Sequence, residues 1–466
     1  MLLDLLGSDF ECAPRPGCNA PRFPADILRG DKYTADSRVV NRARREGPWM
    51  RFTTARPLTG RLATAVAVMA LAATPSLVAA PSAQAEGIVY PASVNDSFYS
   101  TPDDIADRQP GDVLAARVLP PPLGFPGTDA VQLKFRSTNS AGEPISAVTT
   151  VLSPQGGAPG RPLVSYQAII NALGLECAPS TALYAPNPLR GIRESPGLLI
   201  AIQRGWSLAV PDHLGPNSAY GAAKVGGQIT LDGIRAAQRY APLELADSPV
   251  GIAGYSGGGM ATAMAAALAP TYAPEIPIVG SAYGGVPMDI GEMARELGES
   301  AHPAFGLAMA AALGLEREYP DRMPVSEQLN GAGRELRDRI ANACTNEILL
   351  AGAGRSMADV ADAAAGLALL DSPTVQEVLM ENSVEKVATV PNAPVYEWHS
   401  PTDVLIPLDA ISTTLRRYCD AGVAVRTELV PSPDHITAAV IGLPGALDFL
   451  DGRFAGVAPS SDCGMV

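Results

Sequence analysis

Three residues far apart in the chain could together perform nucleophilic catalysis. Ser256 lies in "GYSGGGMATA" (254–263), Asp403 in "EWHSPTDVLIP" and His435 in "VPSPDHITAAV". A serine hydroxyl attacks well only when an imidazole takes its proton, and the imidazole needs a carboxylate to fix its tautomer and steady the imidazolium. Serine, then acid, then histidine is one of the chain orders in which that set recurs. Ser256 also has a suitable setting. It follows the apolar run "VGIAGY" and precedes the small-residue run "GGMATAMAAAL", and Gly254 and Gly258 let the backbone turn sharply enough to expose a hydroxyl between strand and helix. A G-x-S-x-G alone is weak evidence, and a purely structural glycine turn is the rival reading.

The chain has four histidines. His399 is a second candidate base, but it reads more naturally as a strand-end residue that fixes the loop carrying Asp403. Asp434 is a rival acid, yet a neighbour in sequence cannot easily reach the Nδ1 of His435. Asp212 and His213, in "VPDHLGP", form a polar pair at a strand end and read as loop support, with a site wall as the alternative. Glu397 and Asp409 read as ordinary loop residues.

Alternating runs at 129–137 and 145–153 predict a hairpin around "TNSAGEP". Short apolar runs then follow at 161–168, 206–212, 248–254, 277–284, 393–398 and 423–430, each suited to a strand buried on both faces. Helical patterns at 223–240 and 259–269 fall between them. Strand and helix repeated in this way predict an α/β fold with a mostly parallel sheet covered on both faces. Residues 288–390 are Ala- and Leu-rich, helical in pattern and without a convincing strand, which predicts an insertion over the sheet.

Composition sets the compartment. The 466 residues are 47% hydrophobic and 18% charged, with a net charge of −14, so a large core is available. No basic stripe interleaved with aromatics is present, and nucleic acid is an unsuitable partner. From Met50, three arginines precede an apolar run and then Ala83-Gln84-Ala85. That is the pattern of a cleaved secretory signal, and Thr74, Pro75 and Ser76 interrupt what would otherwise resemble a membrane anchor. Residues 50–85 are therefore read as a signal peptide, and 1–49 as an upstream extension outside the fold. The first 85 residues carry 11 basic and 7 acidic residues, leaving 23 against 41 and a charge near −18. Export would leave Cys177, Cys344, Cys419 and Cys463 in an oxidising compartment, where three pairings are open. No H-E-x-x-H, phosphate loop or dinucleotide motif occurs, so neither metal nor cofactor is expected.

Several ordered motifs resemble the secretory lipase family of the Candida antarctica lipase A type. They are "YQ" followed after a gap by "CAPS", "DH" with a following glycine, "GYSGG", "GG-P", H-x-x-x-D followed by "IP", and a histidine near the last strand, spread from "DSFY" (96–99) to "CG" (463–464). The resemblance implies an α/β-hydrolase core at 86–287 and 391–466, a helical cap at 288–390, and hydrolysis of lipid esters, with a lipid–water interface as the expected place of reaction and no stable membrane span after signal removal. It implies Ser256, Asp403 and His435 as nucleophile, acid and base. It also implies the disulfides Cys177–Cys344 and Cys419–Cys463. Family members place an aspartate where this chain has Asn171, a residue that helps form the oxyanion hole. The expected donors here are the N–H of Gly257 and the backbone N–H of Asn171, with or without its side-chain amide.

An acyltransferase with the same three residues, or an inactive hydrolase-fold binding protein, are the alternative functions. Within the cap, Phe305, Leu307, Met309 and Leu313 stand among alanines on "HPAFGLAMAAALGLEREYP". Their face could simply pack on the core, or leave a narrow apolar acyl tunnel. N-terminal sequencing of the secreted protein should begin at Glu86; a mature chain that retains residues before Met50 contradicts the leader reading.

Overall fold

A computed structural model of the chain describes residues 87–186, 192–406 and 408–465, all within the compact unit Ala79–Val466. The upstream extension and the signal peptide lie outside the described residues.

Nine strands form one sheet: β1 (Val113–Leu119), β2 (Thr128–Thr138), β3 (Pro144–Pro154), β4 (Leu163–Gln167), β5 (Ser207–Pro211), β6 (Val250–Tyr255), β7 (Ile278–Gly284), β8 (Val395–His399) and β9 (Val425–Leu429). Their order is β1-β2-β3-β5-β4-β6-β7-β8-β9. The β1-β2-β3-β5 pairs are antiparallel and the rest are parallel. The β2–β3 hairpin closes through Asn139, whose side-chain oxygen accepts the N–H groups of Ala141 and Glu143, an Asx turn that mimics a backbone turn. β4, β5, β6 and β8 are buried along their whole length, as strands covered on both faces must be.

Between β4 and β5 come α1 (Pro179–Ala182) and α2 (Ser195–Gln203); α3 (Ala223–Arg239) leads to β6, and α4 (Ser256–Tyr272) leaves it. α3 and α4 approach closely because small residues meet there. A Cβ on Gly227 would stand 3.0 Å from the backbone nitrogen of Ala265, and one on Gly226 would stand 3.1 Å from the Cβ of Ala261.

From β7 to β8 the chain runs through α5 (Ile290–Glu299), α6 (Phe305–Glu318), α7 (Gly331–Ile340), α8 (Thr345–Gly352), α9 (Met357–Val360), α10 (Ala363–Leu370) and α11 (Pro373–Asn382). This segment is tied to the core by specific bonds. Asn382 accepts the N–H of Lys224 at the start of α3 and donates to the hydroxyl of Tyr319. Arg417 donates to the carbonyls of Val384, Val387 and Thr389 on the returning chain. Arg417 belongs to α12 (Leu408–Asp420), and α13 (His435–Phe454) completes the fold. α13 lies on β8 because Gly442 leaves room for Trp398, 2.0 Å from where a Cβ would stand.

Glu397 departs from its expected place in a loop. It lies inside β8 and is fully buried, because the apolar run 393–398 that contains it forms the strand, which continues to His399. Asp409 is likewise not in a loop, lying in the first turn of α12, where a carboxylate suits the positive end of the helix dipole.

Disulfides join Cys177 to Cys344 and Cys419 to Cys463, with Cα separations of 5.6 and 5.4 Å. They close loops of 167 and 44 residues, for which chain entropy gives upper values of about 5 and about 4 kcal/mol. Non-reducing peptide mapping should recover these two pairs, and replacing Cys177 and Cys344 by serine should lower the denaturation midpoint more than replacing the C-terminal pair.

Candidate active site

Ser256 opens α4 directly after β6 with φ +55°, a left-handed conformation that costs energy for any residue with a side chain. The glycines around it make the turn possible. A Cβ on Gly258 would stand 2.0 Å from the carbonyl oxygen of Gln167, and one on Gly254 would stand 2.4 Å from the hydroxyl of Thr262. Thr262 in turn donates to the side chain of Gln167 at 2.8 Å, joining the helix after the serine to the end of β4.

The structure brings Ser256, His435 and Asp403 together. The Ser256 Oγ lies 2.9 Å from His435 Nε2, and His435 Nδ1 lies 2.6 Å from Asp403 Oδ2. All three come from the carboxyl ends of strands: Ser256 after β6, Asp403 after β8 and His435 after β9. Asp403 also accepts the N–H groups of Leu405 and Ile406. Burial alone would raise its carboxyl, but the bond to His435, the charge attraction and these two N–H groups outweigh that and hold it below the ordinary carboxylate range. It is thus ionised wherever a neutral imidazole could act as base. Asp434 does not reach the ring of His435; it caps α13, accepting the N–H and hydroxyl of Thr437.

Two residues that sequence reasoning gave no role hold the imidazole. The Tyr255 hydroxyl donates to the carbonyl of His435 at 2.7 Å, with ring centroids 5.0 Å apart. Gly285, at φ +53°, leaves the space that both rings fill, since a Cβ there would stand 2.7 Å from the Tyr255 hydroxyl and 2.8 Å from His435 Cε1. The clue to Tyr255 was its place inside "GYSGG". The "GG" after β7 pointed to a family motif but not to its purpose.

Asn171 is buried against Gly257: a Cβ on that glycine would stand 2.2 Å from Asn171 Oδ1, an oxygen with no hydrogen-bond partner. The backbone N–H of Asn171 is directed at the Thr345 hydroxyl at 3.3 Å. The segment is further held by Glu194, which accepts the N–H of Ile169 at 2.6 Å.

The other sequence candidates fall elsewhere. Asp212 accepts both the N–H and the hydroxyl of Ser180, which is loop support; burial pushes its carboxyl up to about 7 against those bonds. Burial lowers His213 to about 4, so its imidazole is neutral at physiological pH. His399 does not approach Ser256 by any hydrogen bond and instead pairs with Glu397 at 2.7 Å.

Beside Gly257 an apolar cavity of about 60 Å³ opens between the core residues Tyr220 and Met260 and the insertion residues Ile290, Met293 and Leu379. A second, of about 100 Å³, continues among Phe305, Met309, Val360 and Val375. The two share Ala294, Ala308, Ala312, Met323 and Leu370 as walls. Phe305, Met309 and Leu313 are buried and Leu307 is partly buried, so α6 both packs on its surroundings and lines a hollow. Among the described residues, no group of His, Cys, Asp and Glu could hold a metal ion, and no helix is long and apolar enough to cross a membrane.

The secretory lipase family model matches residues 194–462. The chain is 31% identical to lipase A of Moesziomyces aphidis over 84% of this chain and 87% of that one. It is 34% identical to a probable inactive lipase of Mycobacterium tuberculosis over 78% of this chain and 82% of that one. The crystal structure of Candida antarctica lipase A in its closed state superposes with a TM-score of 0.74 at 30% identity, covering 80% of this chain and 88% of the other.

Gly285→Ala places a methyl group against both His435 and Tyr255 in a backbone conformation that disfavours it. Phosphonylation of Ser256 by a fluorophosphonate should slow at least about tenfold, the equivalent of ~1.4 kcal/mol, whereas Gly142→Ala, at a turn with open space and φ +88°, should leave that rate unchanged.

Proposed function

The chain belongs to the secretory lipase family, and we propose that it hydrolyses lipid carboxylic esters through an acyl-enzyme on Ser256. It is a carboxylic ester hydrolase by family. The observation that carries the choice of residues is the pair of contacts at His435, 2.9 Å to the serine hydroxyl and 2.6 Å to the Asp403 carboxylate. An intact hydrogen-bonded set also favours an active enzyme over a silent family member.

In the proposed reaction, His435 Nε2 takes the hydroxyl proton as Ser256 Oγ attacks the ester carbonyl. Asp403 holds the ring and stabilises the imidazolium without accepting the proton. The carbonyl oxygen becomes an oxyanion, for which the N–H of Gly257 and a donor from Asn171 are the proposed partners. An amide donates where a carboxylate would first have to be protonated, so this feature does not require low pH. Collapse of the adduct returns the proton from His435 to the leaving alcohol and leaves the acyl group on Ser256. Water, deprotonated by the same imidazole, then releases the acid.

The apolar cavities beginning at Gly257 suit an acyl chain. Their joint walls are three alanines, Met323 and Leu370, mostly small or adaptable side chains that leave room for a flexible hydrocarbon. We therefore propose that lipid-like acyl groups are preferred over acetyl, with the substrate met at a lipid–water interface. The exported state is part of the same proposal, and the two disulfides suit an oxidising compartment.

Mass spectrometry after fluorophosphonate labelling should find the adduct on Ser256. Ser256→Ala should abolish it and lower kcat by roughly 10⁴ to 10⁶, and near-normal turnover in that variant would move the nucleophile elsewhere. With p-nitrophenyl esters, kcat/KM should rise from acetate toward octanoate; a fall, with no activity on emulsified triglyceride, would make the protein a small-ester esterase.

A further inference from the structure

A second carboxylate and imidazole pair lies beside the catalytic one. Glu397 and His399, two apart on β8, point to the same face of the sheet, as the period of a strand requires. Glu397 is fully buried, with Oε2 2.7 Å from His399 Nδ1 and Oε1 without a partner. Glu397 stands opposite Tyr283 on β7 and Thr427 on β9. The loop that leaves His399 is short and tied down: the hydroxyls of Ser400 and Thr402 both donate to the carbonyl of Ser432, and the N–H of Asp403 donates to the carbonyl of Ser400. A rigid three-residue link therefore joins His399 to Asp403.

We propose that the Glu397–His399 pair is a positioning and charge-balancing device for the triad, in which the imidazolium of His399 neutralises a buried carboxylate that would otherwise act on Asp403 and His435. This rests on the assignment of Asp403 and His435 above. A second uncompensated anion near Asp403 would favour the protonated form of His435 and so remove the base at neutral pH. With His399 charged, the pair is neutral and the base is spared.

The surrounding groups support the assignment. Burial alone would lower His399, but the bond and charge of Glu397, followed by the charge of Asp403, raise it on balance. Burial pushes Glu397 up, opposed by its bond and attraction to His399 and by the N–H of Gly285, with the Asp403 charge adding to the rise. Tyr255 and Tyr283 face Glu397 as neutral phenols, raised by burial first. Arg417 and Tyr418 on α12 reach this region through Tyr283. On β9, Glu428 is engaged by the hydroxyl of Tyr396, and on α13, Asp434 is occupied by Thr437. His399 is thus the basic group bonded to Glu397. The sign of the linkage follows: stability from the raised imidazole is fully present below its unfolded value and is lost as pH rises through its folded value.

The test is the pH dependence of Ser256 phosphonylation and of kcat/KM on a soluble short-chain ester. His399→Gln leaves the buried Glu397 carboxyl without its cation, so that it releases its proton only at higher pH, coupled to His435, and the acidic limb of both profiles should move upward by about one pH unit. Adding Glu397→Gln to the same chain removes the stranded charge and should return the limb to its wild-type position. A purely structural pair would lower the amplitude and leave the limb in place; that result, or a double variant as shifted as the single one, overturns the proposal. The wild-type enzyme gives an independent readout by NMR titration of its four histidines. His399 should remain protonated at pH 7, and a neutral His399 there overturns the idea even where His399→Gln fails to fold. If Ser256 proves unreactive but His399 is protonated, the reaction assignment fails and the ion pair stands.

Discussion

A serine held at φ +55° is a strained object, and the neighbouring structure makes that strain tolerable. Such a conformation costs about 1 to 3 kcal/mol and survives only where the surroundings over-determine it. Here β6 delivers the chain and α4 carries it away, both fully committed to the core. The turn between them has no freedom to relax, because Gly258 lies against the carbonyl of Gln167 and Gly254 lies against Thr262. The elbow also explains why β4 is β6's neighbour in the useful sense: the end of β4 supplies the carbonyl and the side-chain amide that hold the first turn of α4.

The remaining groups of the proposed triad are fixed by the same edge of the sheet. Parallel strands β6, β8 and β9 end side by side with β7 between β6 and β8, so residues 179 and 32 positions apart in sequence meet within hydrogen-bond distance. Precision in placing them comes from contacts behind the reacting atoms. Tyr255 holds the backbone of His435, Gly285 gives both rings their space, and two N–H groups orient Asp403. These are the contacts that keep the imidazole aimed at the serine before any substrate arrives.

Much of this was legible in the sequence because the physical signals were local. Buried parallel strands read as short apolar runs, and all six after the hairpin lie where such runs occur. β1 was missed: as an edge strand with partly exposed positions, "VLAARVL" carries no strong pattern. The serine and its glycines were legible because a sharp turn demands particular residues in adjacent positions. Glu397 was not, since a carboxylate inside a short apolar run reads as a break toward a loop, and its partner His399 is what makes burial possible. Two residues apart in a strand is nonetheless a shared face, and that was the overlooked signal. The roles of Tyr255 and Gly285 depend on contacts 180 and 150 positions away, which no local pattern encodes.

The segment carrying Asn171 and the insertion around Thr345 behave as one mechanical body. Four contacts link them: the N–H of Asn171 to the Thr345 hydroxyl, the N–H of Leu173 to the carbonyl of Ala343, the Cys177–Cys344 disulfide, and Gly174, where a Cβ would stand 2.3 Å from the carbonyl oxygen of Asn342. Arg317 reinforces the joint from within. It is buried, and its guanidinium donates to the carbonyls of Leu173 and Ala341 on the two sides, as well as to Val89 on the N-terminal segment. Burial lowers it to about 10, so it stays charged at neutral pH and needs all of these dipoles. Lifting the stretch 341–345 away would therefore disturb Asn171 and take a carbonyl partner from a buried cation at once. The walls that both apolar cavities share include Ala294 on α5 and Leu370 on α10, helices that supply none of these bonds.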